Sequence, residues 1–341
     1  MRILNIDGHY FVKPFRKMGH DVLTIGPRSN SDIVLSKAIS LRGLLRILEK
    51  HNFHPDLVVW SDICKPPSVL GFEALPAITV GYSIDQYCNP WHAPYRAAFD
   101  LMLVAQKDYL PMFEDKQLHN KYEWAPLFCN PHKDKNLNQE RDIPSSFVGT
   151  VEGSINKARR SFLNAFKKGH PLIITQGNYV PIYNRSQIVL NQSAVGELNF
   201  RIFEAMACGA VVLTEDTNNG LHDLFTNGKN ILLYPRGNPM AAATIAKTAL
   251  SSPDELNAIA CRGRREVMAY HSSTVRAKYI LSKVHELANS GPTWRLQNQS
   301  IIRKYMANTC NMLAVDEALP LTEDHREFYI QVGKQMQAAS I

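Results

Sequence analysis

Short apolar runs alternate with helix-length segments along this chain, and the alternation starts afresh once. "RILNID" (2–7), "HDVLTIG" (20–26), "DLVVW" (56–60), "AITVGYSID" (77–85) and "LMLVA" (101–105) each read as strands bounded by turn residues. Between them lie amphipathic stretches such as "LRGLLRILEKHNF" (41–53), with apolar residues at 41, 44, 45 and 48. Strands joined by helix-length crossovers can pair only in parallel, so the chain is confined to open α/β sheets. After a Pro- and Asn-rich stretch from Pro126 to Pro144 the rhythm resumes with "SSFVGT" (145–150), "PLIIT" (171–175), "QIVLN" (187–191) and "NILLY" (230–234). Helices are expected over 158–168, 240–251 and 255–270. We therefore expect α/β domains over 1–140 and 141–290, and a helical C-terminal extension over 291–341. Within that extension, 300–313 has amphipathic spacing and 319–341 reads as a loose tail.

Composition narrows the partners. No apolar run reaches the roughly 20 residues of a membrane span, and the first residues lack the apolar length of a signal peptide. Six scattered cysteines with no C-x-x-C pair argue against a zinc ribbon or disulfide scaffold and predict a reducing cytoplasm. On that expectation the sequons at Asn184, Asn191 and Asn298 are chance. A net charge of +7 leaves nucleic acid, an anionic membrane surface and a diphosphate substrate open, against the alternative of solvated surface charge. Basic residues come in small groups rather than in a block.

The stretch "GELNFRIFEAMACGAVVLT" (196–214) is unusual in placing Arg201 and Glu204 within a segment otherwise built for burial. It predicts a helix from about Phe200 to Cys208, stopped by Gly209, whose backbone tolerates positive φ. Open α/β sheets bind ligands at the carboxyl ends of their strands, and two such domains would enclose a cleft. The helix start offers unpaired amides and partial positive charge to an anion such as phosphate, with Gly196 allowing close backbone approach. Arg201 and Glu204, three apart, share a helix face. Arg201 is suited to phosphate oxygens and Glu204 to paired ribose hydroxyls. A surface ion pair is the alternative.

The string "LNFRIFEAMACGAVVLTED", with "NGKNILLY", "GRREVMAYHS", "FVGT" and "YSIDQYCNPWHAPYRAAFDLMLVAQKDY", resembles glycosyltransferases of the GT-B fold. In particular it is similar to the CgeB-like (spore maturation protein B-like) branch, related to the group 1 glycosyl transferases. The likeness spans roughly residues 55 to 275. The resemblance implies two Rossmann-like domains with an inter-domain cleft, and a nucleotide-diphosphate sugar of UDP or GDP type held mainly by the C-terminal one. It also implies transfer without a metal or other cofactor. Retaining relatives carry two glutamates with seven residues between them; Glu204 matches the second, and the first position is Gly196, with Glu197 beside it. The first glutamate's role at the sugar is therefore not carried over. Substrate binding is further expected of Gly149 at the turn after "SSFV", Arg159 or Arg160 toward the diphosphate, and Asn191 and Asn199 flanking the phosphate loop. Tyr183 is placed near the base. The alternatives are a solvated helix face for the two arginines, a helix cap for Asn199 and core packing for Tyr183.

An inverting transfer also needs a base for the acceptor hydroxyl. Candidates at strand ends of the first half are Asp7, His9, Asp62, Asp85 and His92, with Asp85, His92 and His9 taken as catalytic. Trp91 is either a sugar platform or a loop anchor. No D-x-D triplet, G-x-G-x-x-G after a strand or P-loop occurs, which disfavours a metal-dependent transferase, a dehydrogenase and most nucleoside-triphosphate hydrolases. The expectation is thus a metal-independent hexosyltransferase acting on a sugar, lipid-linked or protein acceptor. Peripheral membrane contact is compatible with this reading, and nucleic acid is not a partner. A non-catalytic member of the same fold, binding a sugar nucleotide or a partner, is the rival.

Overall fold

The computed structural model describes residues 1–153, 156–291 and 293–338. They pack as two compact units, Met1–Ala125 with Ala277–Ile341, and Pro126–Arg276. The first break thus falls before the Pro- and Asn-rich stretch rather than near 140. That stretch is built into the second unit: the Cys129 amide donates to the His271 carbonyl (2.9 Å), and the Ser273 amide donates to the Cys129 carbonyl (2.8 Å). The second break falls at 276/277, inside the helix Ser273–Asn289, rather than near 290.

In the first unit, β1 (Arg2–Asp7), β2 (Asp21–Gly26), β3 (Ile33–Val34), β4 (Leu57–Ser61), β5 (Ile78–Ser83), β6 (Leu101–Val104) and β7 (Lys121–Trp124) form one sheet in the order β3-β2-β1-β4-β5-β6-β7. Every pairing is parallel. The sequence hid β3 and β7: one is two residues long, and the other, "KYEW", is a half-buried edge strand without an apolar run. The core centres on Trp60, whose ring meets those of Trp91, Tyr95 and Phe99 at 6.1, 5.1 and 5.7 Å. Helix Gln299–Val315 adds Ile302, Met306, Cys310 and Leu313 to this core. The expected loose tail is instead largely the helix Glu323–Ala338, whose Tyr329, Val332 and Gly333 are buried. Its close approach uses glycine: a β-carbon at Gly333 would sit 3.2 Å from that of Cys310. Residues 339–341 of that expected tail lie outside the described residues.

In the second unit, β8 (Ile143–Val148), β9 (Ile173–Thr175), β10 (Ser186–Asn191), β11 (Val211–Glu215) and β12 (Leu232–Tyr234) form a parallel sheet in the order β12-β11-β10-β8-β9. Phe147, Leu190 and Leu213 pack against Phe162, Leu163 and Phe166 of the helix Lys157–Gly169. Each sheet has a point where successive connections run off in opposite directions, between β1 and β4 in the first and between β8 and β10 in the second. Doubly wound sheets open a crevice at the carboxyl ends of such a strand pair. Among the described residues, no helix is long and apolar enough to cross a membrane.

Candidate functional site

In the second unit the crevice between β8 and β10 is bridged by Arg201. Its helix, Phe200–Ala207, forms where expected, and Gly209 ends it with a φ of 84°. Arg201 Nε donates to the Val148 carbonyl at the end of β8 (3.1 Å), and Nη1 donates to Asn191 Oδ1 at the end of β10 (2.6 Å). The guanidinium lies over the Phe147 ring at 4.3 Å, and its Nη2 takes the place a side chain at Gly149 would fill. A bond to a backbone carbonyl, a bond to the Asn191 side chain and a ring fix the cation, so its remaining N–H groups are oriented before any ligand arrives. Asn191 is buried: Nδ2 donates to Thr214 Oγ1 (2.9 Å), and its carbonyl accepts from the Tyr234 hydroxyl (2.7 Å). It therefore positions Arg201 instead of meeting a ligand directly.

One helical turn on, Glu204 is half-buried beside the Tyr179 hydroxyl, whose one proton is donated to Asp134 Oδ1 at 2.8 Å. Burial pushes the Glu204 carboxyl up to about 7; the Asp134 charge adds to the rise, while Tyr179, Lys133 and Arg201 oppose it. Burial likewise raises Asp134. Lys133 Nζ sits 4.0 Å over the Tyr179 ring, a cation held next to two carboxyls. At the helix start, Asn199 Oδ1 is buried without a hydrogen-bond partner, and Asn199 makes no side-chain cap bond. At this end the Ile202 amide donates to the Asn199 carbonyl at 3.3 Å.

Other expected residues are placed differently. Gly196 has a φ of 91°, which favours glycine, but its amide donates to Ser193 Oγ (3.0 Å), and the neighbouring amides of Ala194 and Val195 donate to the Glu197 carboxylate (3.1 and 2.8 Å). The loop amides expected to receive an anion are thus occupied by the chain's own side chains. Glu197 folds back on its own loop. Arg159 is buried, donating to the Thr150 carbonyl (2.8 Å), Gln192 Oε1 (2.9 Å) and the Gln192 carbonyl (3.2 Å); it ties the loops after β8 and β10 together. Arg160 sits on the exposed helix face and pairs with Glu152. Tyr183, 1% exposed, packs beneath the Tyr179 ring (5.1 Å) and has no face to offer a base.

Two members of the constellation escaped the sequence reading. Arg236, after β12, lies against Gly196, where a β-carbon would come within 2.8 Å of its Nη1. Its Nε is 3.7 Å from Glu215 Oε2, and its side chain is 55% exposed. Glu215 in turn is buried and accepts from the Ser193 amide and hydroxyl. The signal was available: "YPRG" follows the last strand, at the carboxyl ends of the strands that Arg201 also meets. Tyr179 sits just before a short helix, Val180–Arg185, that apolar periodicity is too short to reveal.

The first unit gathers carboxylates at its own switch point. Asp7, in a left-handed turn with φ 64°, accepts from Trp60 Nε1 (2.9 Å) and from Ser68. Asp62 accepts from the amides of Cys64 (2.7 Å), Asp85 (3.2 Å) and Ile84 (3.3 Å). Burial pushes both carboxyls up to about 6. Asp85 is half-buried, with the Tyr87 hydroxyl donating to it at 3.3 Å. His92 is wholly buried; burial pushes it down to about 3, its Nδ1 meets Ser83 Oγ (2.9 Å), and its Nε2 lies 3.7 Å from Asp62. A neutral, sealed imidazole offers no edge to an acceptor hydroxyl. His9 is half-buried, lowered by burial and by Arg28, and its Nε2 meets Ser31 Oγ at 3.2 Å. Trp91 is 1% exposed, packs on Trp60 and His92, and donates to Asn89 Oδ1, as a loop anchor does. Among the described residues no group of three or more His, Cys, Asp or Glu side chains is arranged to hold a metal ion.

Residues 150–282 match the family described as glycosyl transferase-like. No curated protein matches the chain. Among solved structures, a glycosyltransferase from Rickettsia africae ESF-5 superposes with a TM-score of 0.60 at 12% identity, covering 84% of this chain and 98% of that one. HepE of Anabaena in complex with UDP-glucose gives 0.60 at 13% identity, covering 84% and 100%. Sucrose-phosphate synthase from Thermosynechococcus elongatus gives 0.58 at 14%, covering 85% and 100%. These likenesses show the fold, two parallel α/β units of the GT-B type with a helical C-terminal portion.

Proposed function

We propose that this chain is a glycosyltransferase that moves a sugar, of hexosyl type, from a nucleotide-diphosphate donor to an acceptor. The observation that carries the reading is Arg201, fixed across the β8/β10 crevice one turn from a carboxyl that titrates near neutrality. Arg201 and Arg236 would neutralise the departing diphosphate, which is the charge that develops as the sugar–phosphate bond breaks. Glu204, once ionised, would accept from the ribose hydroxyls, with Tyr179 orienting it. The match over 150–282 lies almost wholly on this same unit, and HepE, with a similar fold, is known in complex with UDP-glucose. The reading extends to the CgeB-like branch through the motif around Arg201 and Glu204. Asp85 is assigned as the acceptor's base in preference to His92, because it is a half-buried carboxylate and not a sealed ring.

Calorimetry with UDP and GDP tests the site. Arg201→Ala should weaken binding of the preferred nucleotide by roughly 10- to 100-fold, the loss of a charge-assisted contact worth about 1.5–3 kcal/mol, without a loss of folded structure. Unchanged affinity would remove the site. Because protein cations serve the diphosphate, transfer should persist in excess chelator; loss of activity restored by magnesium would reject a metal-free mechanism. A second reading, a sugar-nucleotide binder without turnover, is favoured by Glu197, whose carboxylate is spent on the Ala194 and Val195 amides. Slow donor hydrolysis by the purified chain, lost in Glu204→Ala, separates the enzyme from the binder.

A further inference from the structure

Cys64 and Cys88 stand at the carboxyl ends of β4 and β5, in the loops that hold Asp62 and Asp85. Their sulfurs are 3.9 Å apart although the residues are 24 apart in sequence. Both are free thiols, Cys64 exposed and Cys88 half-buried. The backbone fixes this approach. Cys64 has a φ of 57°, a left-handed conformation that costs a residue with a β-carbon roughly 1–2 kcal/mol, and its amide donates to Asp62 Oδ1. Cys88 Sγ faces the Asp85 carbonyl at 3.4 Å and the Asn89 Nδ2 at 3.5 Å. Of the other cysteines, 129, 208 and 310 are buried, and Cys261 is exposed.

We propose that Cys64 and Cys88 form a dithiol site that closes to a disulfide when a small disulfide oxidant such as oxidised glutathione is present, fastening the loop after β4 to the loop after β5. The inference is independent of the transferase reading. The two sulfurs are within hydrogen-bond reach and either thiol can donate; where Cys64 donates, Cys88 is favoured as the thiolate and is the attacking sulfur. The thiolate attacks one sulfur of the oxidant; the oxidant's S–S bond breaks, and the first small thiolate leaves and takes a proton from water. Cys64 then gives its proton to water, attacks Cys88 Sγ and expels the second small thiol. Two protein thiols lose two electrons and two protons, and one oxidant molecule becomes two thiols. The sulfurs must close from 3.9 Å to about 2.05 Å, a movement confined to the two loops.

The test uses the full chain carrying Cys261→Ser, to suppress bonds between molecules, equilibrated across a glutathione redox series. Remaining thiols are then alkylated and the digest is mapped by mass spectrometry. The expected result is loss of two hydrogens per chain, one peptide pair joining Cys64 to Cys88, and full reversal by dithiothreitol. Cys64→Ser and Cys88→Ser should each abolish that bond while the circular dichroism is unchanged. As a second measurement that needs neither variant, a short bifunctional thiol reagent should bridge the same two residues in the reduced chain. Full alkylation of both cysteines after equilibration with oxidised glutathione, separate glutathione adducts on each, or pairing with another cysteine would overturn the proposal.

Discussion

Glu204 holds its proton more tightly in the folded chain than a free carboxyl does, with its carboxyl raised from 4.5 to about 7. The folded state therefore binds more protons than the unfolded one, and this group's contribution to stability is complete below pH 4.5 and fades as pH rises through about 7. Asp7 and Asp62, raised to about 6, act in the same sense over a slightly lower window. Glu204→Gln should remove its share of that slope and stabilise the chain at pH 8 by on the order of 2–3 kcal/mol, read from urea unfolding at several pH values. Nucleotide affinity should run the other way. Ribose hydroxyls need an ionised acceptor, so binding strengthens as pH rises through about 7 in the wild type and loses that step in Glu204→Gln. A Glu204→Gln variant that keeps the same pH profile would place the titrating group elsewhere. Arg201 and Glu204 were legible in the sequence because two charges stood out within an apolar helix. Tyr179 and Asp134 were not, since each comes from a loop whose partner is remote in the chain.

At the level of elements, the helix Phe200–Ala207 shows why some boundaries could be read and others not. Its stop was visible because Gly209 must adopt a φ of 84°, and the strand Val211–Glu215 follows at once. A β-carbon there would also come within 2.8 Å of the Arg141 guanidinium, which bonds the carbonyls of Tyr183 and Cys208. Gly209→Ala is therefore expected to destabilise the chain by about 1–2 kcal/mol, measured by thermal or chemical unfolding. Central strands were legible because burial on both faces demands an unbroken apolar run. Strand β7 and the helix Glu323–Ala338 bury only part of their surface, so their apolar positions are too sparse to stand out. The same reasoning covers Arg159: sequence supplies the residue type, but only the fold shows that three acceptors on two loops have used its fork.

For the molecule as a whole, the C-terminal helices are bound to the first sheet by a buried cation. Arg295, 0% exposed, pairs with Asp100 at 3.1 Å and donates to the carbonyls of Glu73, Leu75 and Ala77. Arg295→Leu would leave the buried Asp100 charge without its cation, held by the Thr79 amide and hydroxyl, and remove the donor to three carbonyls. A loss of about 3–5 kcal/mol is expected, as for other broken buried pairs, with nucleotide affinity retained at temperatures where the variant is folded. Equal stability would show that Asp100 finds other partners.

The second unit is one continuous stretch, whereas the first needs residues from both ends of the chain. A ribosome completes the first unit only after it has made the second. Pro126–Arg276 can emerge and fold while the earlier sheet still lacks Ile302, Met306 and Leu313 to cover Phe72 and Tyr95. Until those helices arrive, the nascent chain exposes an oily face, and truncation ahead of Gln299 would leave it open for good.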